Sequence, residues 1–266
     1  MAEEQQGEPD VLYRRMERGG AAWAEIELNR PQKGNALNMP MMRQLAGIAE
    51  RIAADREVRA AVIRGRGRFF STGGDIAAWG ALSPHEMARD WILPGIAVFE
   101  RIASLPQPVI AVLSGHALGG GLELALAADL RIALRSARLG VPEVTLGMIS
   151  GWMGVRRLAE TIGVARARHM SLLGQPIGAA QALEWGLVTA VAEDSADLER
   201  QLDAWLAQLC ANGPAAMALT KGILASMHRD LRHQHAAAAA QASATQDSQE
   251  GVRAFFEKRR PVFRNQ

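Results

Sequence analysis

The feature that most constrains this chain is the apolar run Val109-Ile110-Ala111-Val112-Leu113, followed closely by Ala117-Leu118-Gly119-Gly120-Gly121-Leu122-Glu123 and then by Pro142-Glu143. The aliphatic run has the length and composition of a buried strand. Three successive glycines let the backbone bend tightly and approach a ligand closely, and residues 122–128 have the composition to begin a buried helix. A helix start leaves N–H groups that can face an oxyanion. Exposed amides are therefore coupled in sequence to two candidate acid/base carboxylates, Glu123 and Glu143.

A second run of the same character lies upstream, Arg68-Phe69-Phe70-Ser71-Thr72-Gly73-Gly74-Asp75, directly after the strand-like Ala60-Ala61-Val62-Ile63. Two glycine-rich amides can converge from these runs. Elsewhere in the first half, residues 23–28 alternate, with Ala24, Ile26 and Leu28 on one face and Trp23, Glu25 and Glu27 on the other, as in a half-buried strand. Pro40 suits the first turn of a helix in which Met41, Leu45, Ile48 and Ile52 pack inward. Strands are expected at 60–64, 109–113 and 129–133, with a helix at 96–102. From about residue 154 helices dominate. Gly163 separates two of them, Gly178 to Trp185 forms another, residues 187–191 read as a last strand, and the region from Leu198 is helical with a break at Asn212-Gly213-Pro214. The fold class is α/β, and no internal sequence repeat is evident.

A chain of 266 residues, 48% hydrophobic and 22% charged, is long enough for a substantial core. Its formal charge is only +2, although the pI is about 9.1. That balance, without an interleaved basic and aromatic tract, argues against nucleic-acid binding. Cys210 is the only cysteine, so an internal disulfide framework is excluded and a reducing, cytoplasmic setting is expected. Residues 1–10 read as an acidic, frayed tail with no signal-peptide pattern, and no apolar run approaches membrane-spanning length.

In order and near-complete, these segments resemble the enoyl-CoA hydratase/isomerase (crotonase) family, whose members carry F-S/A-x-G-x-D, then G-x-A-x-G-G-G-x-E, then P-E. Leu28-Asn29-Arg30-Pro31 with Asn35-Ala36-Leu37, the stretch 174–188, and Glu250-Gly251 with residues 255–259 extend the likeness from about residue 11 to the C-terminus. One glycine motif alone is weak, and a lone GGG usually makes only a tight turn; the succession is what carries the match. The resemblance implies a crotonase-like ββα spiral core at 11–197, a C-terminal helical trimerisation region at 198–266, and assembly as a homotrimer or dimer of trimers. It implies an acyl-CoA substrate, with coenzyme A as part of the substrate, no tightly bound cofactor and no metal.

Carried residue by residue, the resemblance puts the oxyanion donors on Gly74 and Gly120 and the catalytic carboxylates on Glu123 and Glu143. It puts a water-orienting amide on Gly151, an adenine-contacting carbonyl on Thr72, and CoA contacts from a neighbouring subunit on Phe255 and Lys258. In isolation a glutamate is usually a solvated group or half of an ion pair, but the apolar neighbours of both residues favour desolvation. Asp75 is expected to order its turn, His116 to be a hydrogen-bonded structural residue, and His228, His233 and His235 to lie on a polar helix without a metal pattern. The main departure from the family is at 147–154, Gly-Met-Ile-Ser-Gly-Trp-Met-Gly. Ser150, Trp152 and Met153 replace smaller or stiffer residues and reshape the acyl end, where Trp79 and Trp91 raise the question of a bulky or functionalised acyl group. Trp152 is equally readable as core or as substrate-facing. The implied reaction is syn addition of water to a 2-enoyl-CoA. Double-bond isomerisation, or another acyl-CoA lyase or hydrolase reaction, remains open, and a non-catalytic RNA-binding or scaffold relative is the distant alternative.

Overall fold

The computed structural model describes residues 8–225, 232–259 and 261. Of the expected tail at 1–10, residues 1–7 lie outside the described residues, as does His228. The chain opens with an antiparallel pair, β1 (Val11–Arg18) and β2 (Ala21–Leu28), and then α1 (Met39–Ala54). Asn38 caps α1 by accepting the Met41 N–H at 3.0 Å, with Pro40 in the first turn. Met41, Met42, Leu45, Ala49 and Ile52 form its buried face, while Ile48 is only partly buried.

From there each circuit places one strand in each of two sheets and returns through helices. β3 (Val58–Gly65) and β4 (Phe69–Ser71) precede α2 (Ile76–Trp79), α3 (Pro84–Glu86), a π-helical turn (Met87–Ile92) and α4 (Leu93–Ala103). β5 (Val109–Leu113) and β6 (His116–Leu118) precede α5 (Gly120–Ala127). β7 (Leu130–Leu134) and β8 (Arg138–Gly140) precede a 3₁₀ turn (Pro142–Leu146), α6 (Gly154–Ile162) and α7 (Val164–Leu173). The first sheet has the order β1-β2-β3-β5-β7-β10 and the second β4-β6-β8-β9, with β9 (Ile177–Gly178), α8 (Ala179–Glu184) and β10 (Ala190–Ala192) closing the core. Each circuit advances by one parallel neighbour in both sheets, which makes the ββα spiral.

Both faces of the first sheet are covered at its centre, so residues 60–63 of β3 and all of β5 read as continuous apolar runs. Ala61, Ile63, Val109, Ala111 and Leu113 enter the main core. Their alternates Ala60, Val62, Ile110 and Val112 pack with Leu198, Leu202 and Leu206 of α9 (Ser195–Ala211). Trp23, expected on an open face of β2 with Glu25 and Glu27, is buried under the same helix, so that face is not solvated at its start. The last strand also begins later than the expected 187–191. Gly186 (φ 77°) turns the chain at the end of α8, and the Leu187 N–H bonds back to Ala182 O at 2.8 Å, so pairing with β7 starts only at Ala190. The remaining helices are α10 (Pro214–Ala225), α11 (Arg232–Ser243) and α12 (Gln246–Phe256).

Arg131 on β7 anchors the end of α5. Its buried guanidinium donates to Ala128 O (2.7 Å), Ala125 O (3.3 Å) and Leu187 O (2.8 Å), satisfying carbonyls that a helix end leaves open. Burial lowers its pKa to about 10. Arg131→Leu would strand these carbonyls, and we expect a loss of about 2–4 kcal/mol in urea unfolding followed by circular dichroism. An unchanged midpoint would remove this anchor from the account.

Candidate active site

Two loops are pressed together at one end of the second sheet. The loop after β4 is fixed by a parallel bridge in which Leu37 N–H bonds to Gly73 O (2.7 Å) and Asp75 N–H to Leu37 O (2.8 Å). The bridge uses groups of Gly73 and Asp75, so the N–H of Gly74 points away from Leu37. Buried Asn35 holds the approach to this loop, its Nδ2 donating to Arg66 O (3.0 Å) and Phe69 O (2.8 Å) while its backbone carbonyl accepts from Ser71 Oγ (2.8 Å). Asp75 caps α2 through the Ala77 N–H and pairs with Arg30 at 3.0 Å, the ordering role expected of it.

The facing loop, after β6, begins α5. Gly119 has φ 52°, a left-handed value that suits glycine, and its own N–H bonds to Gly140 O at 2.9 Å. Gly120 is therefore the first helical residue, with an N–H that no i−4 carbonyl of its helix can accept. A methyl group on Gly120 would lie 3.3 Å from the Gly74 nitrogen, and one on Gly73 would lie 3.1 Å from the Gly120 nitrogen. The two glycine amides are thus brought side by side.

Glu123 sits one turn into α5 and is 2% exposed. Its Oε1 accepts the N–H groups of Trp152 (2.8 Å) and Gly154 (2.6 Å), which ties α5 to the 147–154 loop. With both lone pairs of Oε1 engaged, a proton on this carboxyl belongs on Oε2. Glu143, in the 3₁₀ turn after β8, lies against Gly119, and its Oε2 is sealed from solvent with no partner among the described residues. Burial, and then the charge of Glu143, push the Glu123 carboxyl well above the ordinary carboxylate range, against the two amides that lower it. Burial likewise raises Glu143, opposed by its own backbone amide and the Ser150 hydroxyl. Because the two carboxyls interact, their protons leave in two steps that belong to the pair rather than to either residue.

A cavity of about 580 Å³ contains both carboxyls and both glycines. Trp79, Met87, Trp91, Ile92, Gly151 and Trp152 are among the residues that line it, as are Lys33, Thr72, Phe255 and Phe256. Most residues singled out in the sequence therefore meet in one place. Phe255, on this chain's own α12, is among the residues lining the cavity. α12 ends at Phe256, and Lys258 follows it with φ 54°, outside the residues of this chain that line the cavity. His116 stays outside, accepting the Arg138 N–H at 3.0 Å. Lys33, Met87 and Ile92 escaped the sequence reading, since nothing local marks a side chain that reaches the cavity through tertiary packing.

Against this geometry, a model of the enoyl-CoA hydratase/isomerase family matches residues 18–266. A probable enoyl-CoA hydratase of Bacillus subtilis (strain 168) is 36% identical over 87% of this chain and 92% of its own. The 2,3-dehydroadipyl-CoA hydratase of Escherichia coli (strain K12) is 34% identical over 90% of this chain and 94% of its own. The crystal structure of an enoyl-CoA hydratase from Bacillus anthracis superposes with a TM-score of 0.76 at 33% identity, covering 97% of this chain and 100% of that one. The chain belongs to the enoyl-CoA hydratase/isomerase family and is an enzyme of the crotonase fold.

The raised pKa of Glu123 has a sign that stability can report. A carboxyl that holds its proton more tightly when folded makes the native state bind more protons than the unfolded state between its unfolded and folded pKa values, so stability falls as pH rises through that window. Glu123→Gln keeps Oε1 for both amides and mimics the protonated acid. We expect the variant and the parent to unfold at similar urea concentrations at pH 5, with the variant the more stable at pH 9. A gap that does not change with pH would contradict the buried, protonated carboxyl.

Proposed function

We propose that this enzyme adds water reversibly to the double bond of a 2-enoyl-CoA. The observation that carries the reading is the pair of converging glycine amides beside two buried carboxyls, one with an oxygen that has no partner among the described residues. In this reading Gly74 and Gly120 hold the thioester oxygen, where negative charge develops as the β-carbon is attacked. Each such preorganised donor is worth about 3 kcal/mol of barrier. The ionised member of the Glu123/Glu143 pair takes a proton from water as the oxygen bonds to the β-carbon, and the protonated member delivers its proton to the α-carbon. The double bond is consumed, and the pair has exchanged roles when product leaves. Both transfers on one face give syn addition. Gly151, beside the pair, is assigned to orient the water through its amide.

Thr72 and Phe255 line the same cavity and are assigned to the nucleotide end of the substrate, with Lys33 supplying a cation to it. The coenzyme arrives as part of the substrate, and the reading needs no tightly bound cofactor. The exposed Leu172, Leu173, Leu219 and Leu224 suit burial in a homotrimer or a dimer of trimers, and a cytoplasmic setting suits the single cysteine. Among the described residues no helix is long and apolar enough to cross a membrane.

Crotonyl-CoA tests this directly. We expect 3-hydroxybutyryl-CoA as product, with kcat lowered by about 100-fold or more in both Glu123→Gln and Glu143→Gln while CoA affinity is kept. The parent should show a bell-shaped pH profile whose basic limb marks ionisation of the second carboxyl. If a 3-enoyl-CoA is converted but crotonyl-CoA yields no hydroxyacyl product, the enzyme is an isomerase and hydration fails.

A further inference from the structure

We propose that Trp152 is the specificity-determining wall of the acyl pocket and restricts this enzyme to short acyl groups; the proposal rests on the thioester reading above. Trp152 is 2% exposed and wedged between two helices at positions that carry no side chain. A methyl group on Gly120 at the start of α5 would overlap its six-membered ring at Cζ3, and one on Gly95 in α4 would overlap the indole at Nε1. Gly95 has no left-handed backbone to require glycine. What it accommodates is the indole.

The ring is fixed on its other sides as well. Its Nε1–H donates to Trp91 O at 3.2 Å, and the ring centroids of Trp91 and Phe99 stand 5.2 and 5.3 Å away. Its backbone N–H is one of the two that hold Glu123, so the indole cannot swing far by backbone movement without releasing the carboxyl. Three indoles crowd the proposed oxyanion donor: a methyl on Gly74 would meet Trp91 Cζ2 at 3.1 Å, Trp79 Nε1 at 3.3 Å and Trp152 Cη2 at 3.5 Å. An acyl chain whose carbonyl oxygen lies at Gly74 and Gly120 therefore meets packed aromatic rings within a few carbons. Longer chains must either pull the oxygen off its donors or break the wedge. Since the wedge is packed on the sides away from the cavity, the loss falls on substrate binding.

The test is calorimetric titration of the full-length protein with saturated butyryl-, hexanoyl-, octanoyl- and dodecanoyl-CoA, with crotonyl-CoA hydration assayed in parallel. We expect the parent to bind butyryl-CoA best and octanoyl-CoA more than about tenfold more weakly. In Trp152→Leu, which keeps the backbone N–H to Glu123, octanoyl-CoA should bind at least as well as butyryl-CoA, because each newly buried methylene then contributes its usual gain. A parent that binds octanoyl- or dodecanoyl-CoA as tightly as butyryl-CoA would overturn the proposal, and so would a folded variant with the parental length profile. The parent profile decides even if the variant fails to fold. A short-chain binding profile without crotonyl-CoA turnover would instead sink the hydration reading and leave the wall standing.

Discussion

The parallel bridge between Leu37 and Gly74 is the constraint on which the site depends. It engages the carbonyl of Gly73 and the amide of Asp75, which turns the intervening N–H toward the start of α5. Glycine is needed on both sides of that approach because backbone meets backbone there, with Gly73 at φ 106° and only 3.1 Å between its would-be methyl and the Gly120 nitrogen. Donors held this way need no reorganisation when charge appears on a carbonyl oxygen, which is the condition for electrostatic catalysis.

The buried carboxyls carry a cost that the same loops offset. Glu123 lies in an apolar helix whose other residues are all buried, a setting that disfavours its charge. Two amides from the 147–154 loop on a single oxygen supply the compensating bonds, and they also fix which oxygen can carry a proton. Among the described residues Glu143 Oε2 has no protein partner, which leaves it open to a water or a substrate group.

Much of this was legible in the sequence. Continuous apolar runs gave the centres of β3 and β5, Pro40 gave the start of α1, and the succession of glycine runs pointed to the loops that meet at the cavity. The resemblance to a known family supplied the spiral order of the strands, which periodicity alone does not encode. What stayed hidden depends on contacts distant in sequence. Trp23 looked half-exposed because α9, which covers it, lies far along the chain. The space for Trp152 is made by Gly95, a glycine inside a helix that carries no local signal of its partner. Lys258 was expected on a helix that stops at Phe256, a boundary set by the left-handed turn that follows.

The central claim is that the amides of Gly74 and Gly120 polarise a thioester carbonyl, and its vibration reports this most directly. Isotope-edited infrared difference spectra of [1-13C]butyryl-CoA should show the carbonyl stretch of the bound ligand below its frequency in water, because two fixed donors withdraw more electron density than mobile solvent does. A bound stretch at or above the aqueous value would contradict the account.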